Sequence, residues 1–237
     1  MTSSKNSLVM LAAVARRFGP MLDDVVFLGG AVGGLLLDSP LSGEIRATDD
    51  VDVIVEVATY REFSVVQENL RALGFSHSRD EDDPICRFIV DGIKVDVMPI
   101  NGDVLGFKNV WYEAAFTSAQ NVQIEDDLAI KIVTAPCFVA TKLDAFQDRG
   151  DNDYFTSYDI EDVITLVNGR SALVDEIRTA STDVRAYIAE QFDRLMADPS
   201  FEEAISAHLL PDAASQARKS AVMDRMRQIA ALRSSIE

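Results

Sequence analysis

The spacing of apolar residues divides this chain into two parts of different character. Over residues 7–18, Leu8, Leu11, Ala12 and Ala15 recur at helical intervals and the pattern stops at Gly19-Pro20, so a helix is expected there. Val25-Val26-Phe27-Leu28 is an unbroken apolar run of strand length, after which Gly29-Gly30 turns the chain into a second apolar helix over 31–37. Asp38-Ser39-Pro40 with Ser42-Gly43 reads as a loop. Residues 50–57 form a strand, and 61–73 carry Phe63, Val66, Leu70 and Leu73 at helical spacing before Gly74. Two further runs, 85–90 and 93–98, flank Asp91-Gly92, a dipeptide favoured in two-residue hairpin turns. The expected order through Met98 is helix, strand, helix, strand, helix, strand, strand.

Beyond about residue 134 the strand signals stop and helical spacing takes over, in runs 136–146, 158–167 (closed by Gly169), 171–179, 183–196 and 212–232. Pro136 suits a first helical turn, and Ser157 suits the N-cap of the next helix. The fold expected is therefore α/β (α+β): a small mixed-sheet core over 1–134, followed by a helical C-terminal subdomain over 135–237. No internal repeat or heptad register interrupts that division.

A chain of 237 residues that is 48% apolar can bury a sizeable core. Its net charge of -17 disfavours a broad electrostatic grip on polyanions, so bulk nucleic-acid binding is not expected. The longest apolar run, 25–37, is broken by Gly29, Gly30, Gly33 and Gly34 and is too short to span a bilayer, and the opening residues lack a secretory apolar core. A cytoplasmic protein with no membrane partner is expected. Cys86 and Cys137 stand alone, which suggests neither a disulfide framework nor a zinc site, and His77 and His208 have no ligand-type neighbours and receive no catalytic role.

Against that background, Asp50-Val51-Asp52-Val53 stands out. Alternate strand residues share a face, so Asp50 and Asp52 point together while the valines point away. Asp96 lies between Val95 and Val97 in another short apolar segment, and pairing of the two strands would bring three carboxylates to one point. Such hard oxygen donors suit magnesium or manganese. A plainer reading is a solvated acidic loop. Another is a phosphatase or sugar-nucleotide glycosyltransferase, in which an Asp-x-Asp follows an apolar strand. Here the order is reversed, with polar residues 43–48 before the pair and Val53-Ile54-Val55 after it. Gly29-Gly30 lets a backbone approach phosphate closely, although 29–34 match neither a P-loop nor the dinucleotide glycine pattern.

Together, Gly29-Gly30 after an apolar strand, Arg46-Ala47-Thr48 leading into Asp50-Val51-Asp52-Val53, and Val95-Asp96-Val97 resemble the nucleotidyltransferase superfamily related to DNA polymerase beta. Within it the arrangement is most similar to the AbiE-type toxin nucleotidyltransferases and their uncharacterised bacterial relatives. The likeness runs over about residues 25–168, through Lys142 and Ser157-Tyr158-Asp159-Ile160-Glu161-Asp162, and the longer spacing between the glycines and Asp50 implies a longer loop over 38–48 near the nucleotide. It implies transfer of a nucleoside monophosphate from a nucleoside triphosphate to an acceptor hydroxyl on a protein, a small molecule or a defined RNA end. Asp50, Asp52 and Asp96 would be the catalytic residues and the ligands of magnesium or manganese. Gly29, Gly30, Arg46, Thr48 and Lys142 would contact the nucleotide, and a cognate antitoxin protein is the partner a toxin-like enzyme would have. Surface roles fit Arg46 and Lys142 too, and Asp159 with Asp162, three apart on one helix, could orient Lys142, contact nucleotide or support a helix start. The alternative function is a non-catalytic nucleotide-binding or interaction module of the same fold.

Overall fold

The computed structural model describes residues 3–38, 46–106, 109–149 and 153–235. The loop expected over 38–48 therefore lies, for 39–45, outside the described residues. The described residues form two compact units, one within Met1–Leu35 and Arg46–Thr134, the other within Leu36–Ile45 and Ala135–Glu237.

The first unit is built on strands β1 (Val25–Leu28), β2 (Asp50–Val55), β3 (Ser76–His77), β4 (Arg87–Val90), β5 (Ile93–Pro99), β6 (Gln120–Glu125) and β7 (Leu128–Ile132). They make one seven-stranded mixed sheet in the order β3-β4-β5-β2-β1-β7-β6. β2 runs parallel to β5 and β1 parallel to β7, and the remaining neighbours are antiparallel. β1 lies inside the sheet with all four residues buried, which is why it reads as an unbroken apolar run and not as an alternation. Helices α1 (Ser3–Phe18), α2 (Gly33–Leu36), α3 (Tyr60–Ala72) and α4 (Tyr112–Thr117) accompany the sheet, α2 ending where the chain passes to the second unit. Phe18 at the end of α1 meets Phe27 edge-on at 6.0 Å and Phe75 at 5.1 Å between ring centroids, joining the helix to the sheet's apolar core. Thr59 and Glu62 form a reciprocal capping box that starts α3.

Some elements differ from their sequence-based expectation. Residues 31–37 do not form one helix: a 3-10 turn over Gly30–Val32 precedes the single turn of α2. From Leu36 the backbone packs with the helical unit, as Asp38 donates its N–H to the Gly169 carbonyl at 2.9 Å and Arg170 reaches the Leu36 carbonyl at 2.6 Å. The β6–β7 hairpin, absent from the expected order, extends the sheet on the far side of β1.

The second unit consists of α5 (Ala135–Arg149), α6 (Tyr158–Gly169), α7 (Leu173–Thr179), α8 (Thr182–Met196), α9 (Pro199–His208), α10 (Ala213–Gln216) and α11 (Lys219–Ala231). Ser157 caps α6 by accepting the Ile160 N–H, as its sequence position suggested. Helix α9 was not expected, and the run 212–232 is split in two. Gln216 donates to the carbonyls of Ser206, Leu209 and Leu210, tying α10 to the end of α9 before α11 begins. Ile160, Ile164, Val167, Ile188, Phe192 and Met226 are among the fully covered apolar side chains of this unit. Among the described residues, no helix is long and apolar enough to cross a membrane.

Candidate metal centre

Asp50 and Asp52 occupy the first and third positions of β2 and project from one face, while Val51 and Val53 fill the opposite face and are completely buried. Parallel pairing with β5 sets Asp96 directly beside Asp52. Each of the three aspartates offers a carboxylate oxygen within 4.8 Å of the others. Asp96 is buried and the other two are half-buried.

Carboxylates this close repel one another unless a positive charge stands among them. Arg87 supplies it. Its Nε and Nη2 donate to Asp96 Oδ1 and Oδ2, each at 2.7 Å, and Nη2 also reaches Asp50 Oδ2 at 3.2 Å. The third arm, Nη1, donates to Asp83 Oδ1 at 2.8 Å, and Asp83 in turn accepts from Ser78 Oγ at 2.6 Å. The hydrogen bond to Asp96 raises Arg87 above its ordinary range, and the Ser78 hydroxyl followed by Arg87 holds Asp83 below the usual carboxylate range. The carboxylate pattern in the sequence does not single out Arg87, although the hairpin contains the signal. With Asp91 at φ 50 and Gly92 at φ 79 forming the turn, Val90 pairs with Ile93 and Arg87 must pair with Asp96.

Gly29 ends β1 with φ 71 and ψ -168, a conformation essentially reserved for glycine. A Cβ there would lie 1.8 Å from Asp52 Oδ2, so the carboxylate rests against bare backbone. At Gly30 a Cβ would lie 2.9 Å from Arg46 Nη2 and 3.5 Å from Thr48 Cβ. Thr48 Oγ1 donates to Asp50 Oδ1 at 2.7 Å, fixing that carboxylate, and Arg46 Nη1 donates to the Ala47 carbonyl at 3.2 Å. Gly29, Gly30, Arg46, Thr48, Asp50, Asp52 and Asp96 are thus gathered around the meeting point of β1, β2 and β5.

No protein-family model and no curated protein matches the chain. What the site can do must therefore be read from its own chemistry. Three oxygen donors so close make a hard ligand set of the kind that magnesium and manganese take, and the space over Gly29 that a side chain would fill belongs instead to Asp52. The residues present fit a divalent cation.

Lys142 lies in the helical unit, where its Nζ is 3.1 Å from Asp159 Oδ1 and 2.7 Å from Asp162 Oδ2, with all three residues buried. Both aspartates hold the ammonium, which also lies 5.8 Å from the centre of the Phe138 ring. His208 Nε2 is 2.7 Å from the Tyr154 carbonyl, and the His77 ring lies tilted against Phe88 with 4.2 Å between ring centroids. Cys86 and Cys137 are both buried free thiols. A cavity of about 400 Å³ beyond the ends of β2 and β5 is lined by Glu56, Ala58, Asn101, Asn109 and Glu113 among others, and no member of the aspartate triad lines it.

Proposed function

We propose that this chain is a metal-dependent nucleotidyltransferase, related to the DNA polymerase beta-like superfamily, which moves a nucleoside monophosphate from a nucleoside triphosphate to an acceptor hydroxyl. The observation that carries the reading is the convergence of the Asp50, Asp52 and Asp96 carboxylates within 4.8 Å, with Asp52 Oδ2 lying against the Gly29 backbone where a side chain would otherwise stand. Metal ligands beside bare backbone and an arginine are the combination a triphosphate needs: counter-charge, hydrogen-bond donors and close approach. A cytoplasmic setting, with its supply of nucleoside triphosphate and magnesium, suits the reaction.

Asp50 and Asp52 would hold magnesium or manganese together with the triphosphate, and Asp96 would complete the ligand set on the acceptor side. Bound there, the metal supplies Lewis acidity that activates the attacking hydroxyl and offsets charge on the departing pyrophosphate. The remaining work falls to the chain. Thr48 orients Asp50 through its 2.7 Å hydrogen bond, and Arg87 fixes the plane of Asp96 through two parallel bonds. Each Asp96 oxygen keeps lone-pair capacity beyond its bond to Arg87, so the carboxylate can both ligate and accept the hydroxyl proton. The backbone at Gly29 and Gly30 and the guanidinium of Arg46 would bind phosphate oxygens.

The test is a labelling screen. Each nucleoside triphosphate, labelled at the α-phosphate, is offered with magnesium to total RNA, lysate protein and small alcohols, using wild type and Asp52→Asn. Label should move to one acceptor class with wild type alone. Nucleotide binding without transfer to any acceptor would instead favour a non-catalytic binding module.

A further inference from the structure

We propose that Arg87 acts as a resident counter-cation of the aspartate triad: it keeps the three carboxylates assembled without metal and, by competing with metal for them, lowers the affinity of the site for free divalent ions. This inference rests on the metal-binding reading above and concerns a residue outside the ligand set.

Asp50, Asp52, Asp96 and Asp83 surround a guanidinium that touches three of them, and Lys94 adds a second positive charge 3.5 Å from Asp83. Arg87 is well shielded, its side chain 14% exposed, so its charge acts on the triad with little screening. Both Asp96 oxygens and one Asp50 oxygen accept from it. A divalent ion at the same carboxylates must share them with a positive charge already in place.

The guanidinium is anchored on both sides. Its bond to Asp83 is 2.8 Å, whereas its reach to Asp50 is 3.2 Å, the longest of its hydrogen bonds. Asp83 is itself held by Ser78 and lies outside the triad, so it draws part of the Arg87 charge away from the metal ligands. Metal binding can loosen the Asp50 contact while the Asp83 and Asp96 contacts keep the guanidinium in position. The arrangement selects a metal ion that arrives with its own negative ligands, such as the oxygens of a triphosphate, over a bare ion. Arg87 is thus a positioning residue that sets metal affinity through Asp96 and Asp50.

The experiment is titration of manganese alone into the full chain, followed by electron paramagnetic resonance, with thermal unfolding measured alongside. Arg87→Gln should bind manganese on the order of tenfold tighter than wild type, because one positive charge has left the low-dielectric site. It should also unfold at lower temperature without metal and regain more stability when manganese is added. Arg87→Lys, which retains the charge, should stay near wild-type affinity. Asp83→Asn should bind several-fold more weakly, since Arg87 and Lys94 then act on the triad without that carboxylate; this variant keeps the proposal testable if Arg87→Gln does not fold. Manganese binding that is lost in Asp52→Asn but unchanged or weakened in Arg87→Gln, or unchanged in Asp83→Asn, overturns the role of Arg87 alone. Failure of wild type to bind manganese, with or without nucleotide, overturns the metal centre and this inference together.

Discussion

Gly29 carries two constraints at once, a backbone conformation closed to other residues and an Asp52 oxygen in the place of its missing side chain. Gly29→Ala should cost at least about 1–3 kcal/mol from backbone strain and should also displace Asp52, abolishing transfer. Urea unfolding together with the transfer assay checks both effects, and an active, stable Ala variant would rule out this geometry. Gly30→Ala should be milder, because the crowding atom is the mobile end of Arg46. Beside the site, burial and then the negative charge of Asp96 push the Cys86 thiol up to about 12 from 9.0. The folded chain therefore keeps a proton that the unfolded chain loses, and stability that is fully present below about pH 9 falls as pH rises toward 12. Denaturant titrations of wild type and Cys86→Ala across that range should show the steeper alkaline loss in wild type. Equal slopes would contradict the shift.

Among the elements, α5 and α6 are joined by one ammonium shared between two buried carboxylates. Lys142→Met should destabilise the chain by about 3–5 kcal/mol, because Asp159 and Asp162 stay buried without their cation, and adding Asp159→Asn and Asp162→Asn should restore part of the loss. A loss near zero in urea unfolding would show that the trio carries little of the stability. These elements also show why some of the molecule was legible in sequence. Asp50 and Asp52 follow from strand alternation, and the Asp91-Gly92 turn fixes the β4–β5 register by itself. Counting back from that turn reaches Arg87 opposite Asp96, so the counter-ion was present in the pattern but hidden in what reads as an apolar strand. The parallel neighbour relation of β2 and β5 had to be assumed, since no local signal specifies which strands meet. Hairpin β6–β7 alternates Val122 and Ile124 with polar residues, yet its half-exposed burial gives a weak apolar signal. The docking of Leu36 and Asp38 depends on hydrogen bonds between residues far apart in sequence: the Asp38 N–H donates to the Gly169 carbonyl, the Arg170 guanidinium to the Leu36 carbonyl, and the Ser171 N–H to the Asp38 carboxylate, and no periodicity encodes such bonds.

At the scale of the whole molecule, the net charge of -17 works against long-range attraction of polyanions. Binding to duplex or unstructured nucleic acid should be weak even at low ionic strength, where electrostatic attraction would be strongest, and a mobility-shift titration decides it. Tight, steeply salt-dependent binding of RNA would move a defined RNA end ahead of protein and small-molecule acceptors. If the three aspartates work as one metal-dependent transfer site, pyrophosphate release by wild type, Asp52→Asn and Asp96→Asn will show it. With triphosphate, magnesium and the acceptor from the labelling screen, wild type should release pyrophosphate, chelation of the metal should stop it, and each Asn variant should lose on the order of 100-fold or more in rate while remaining folded. Release that continues undiminished in the Asn variants, or in the absence of divalent metal, would contradict the account.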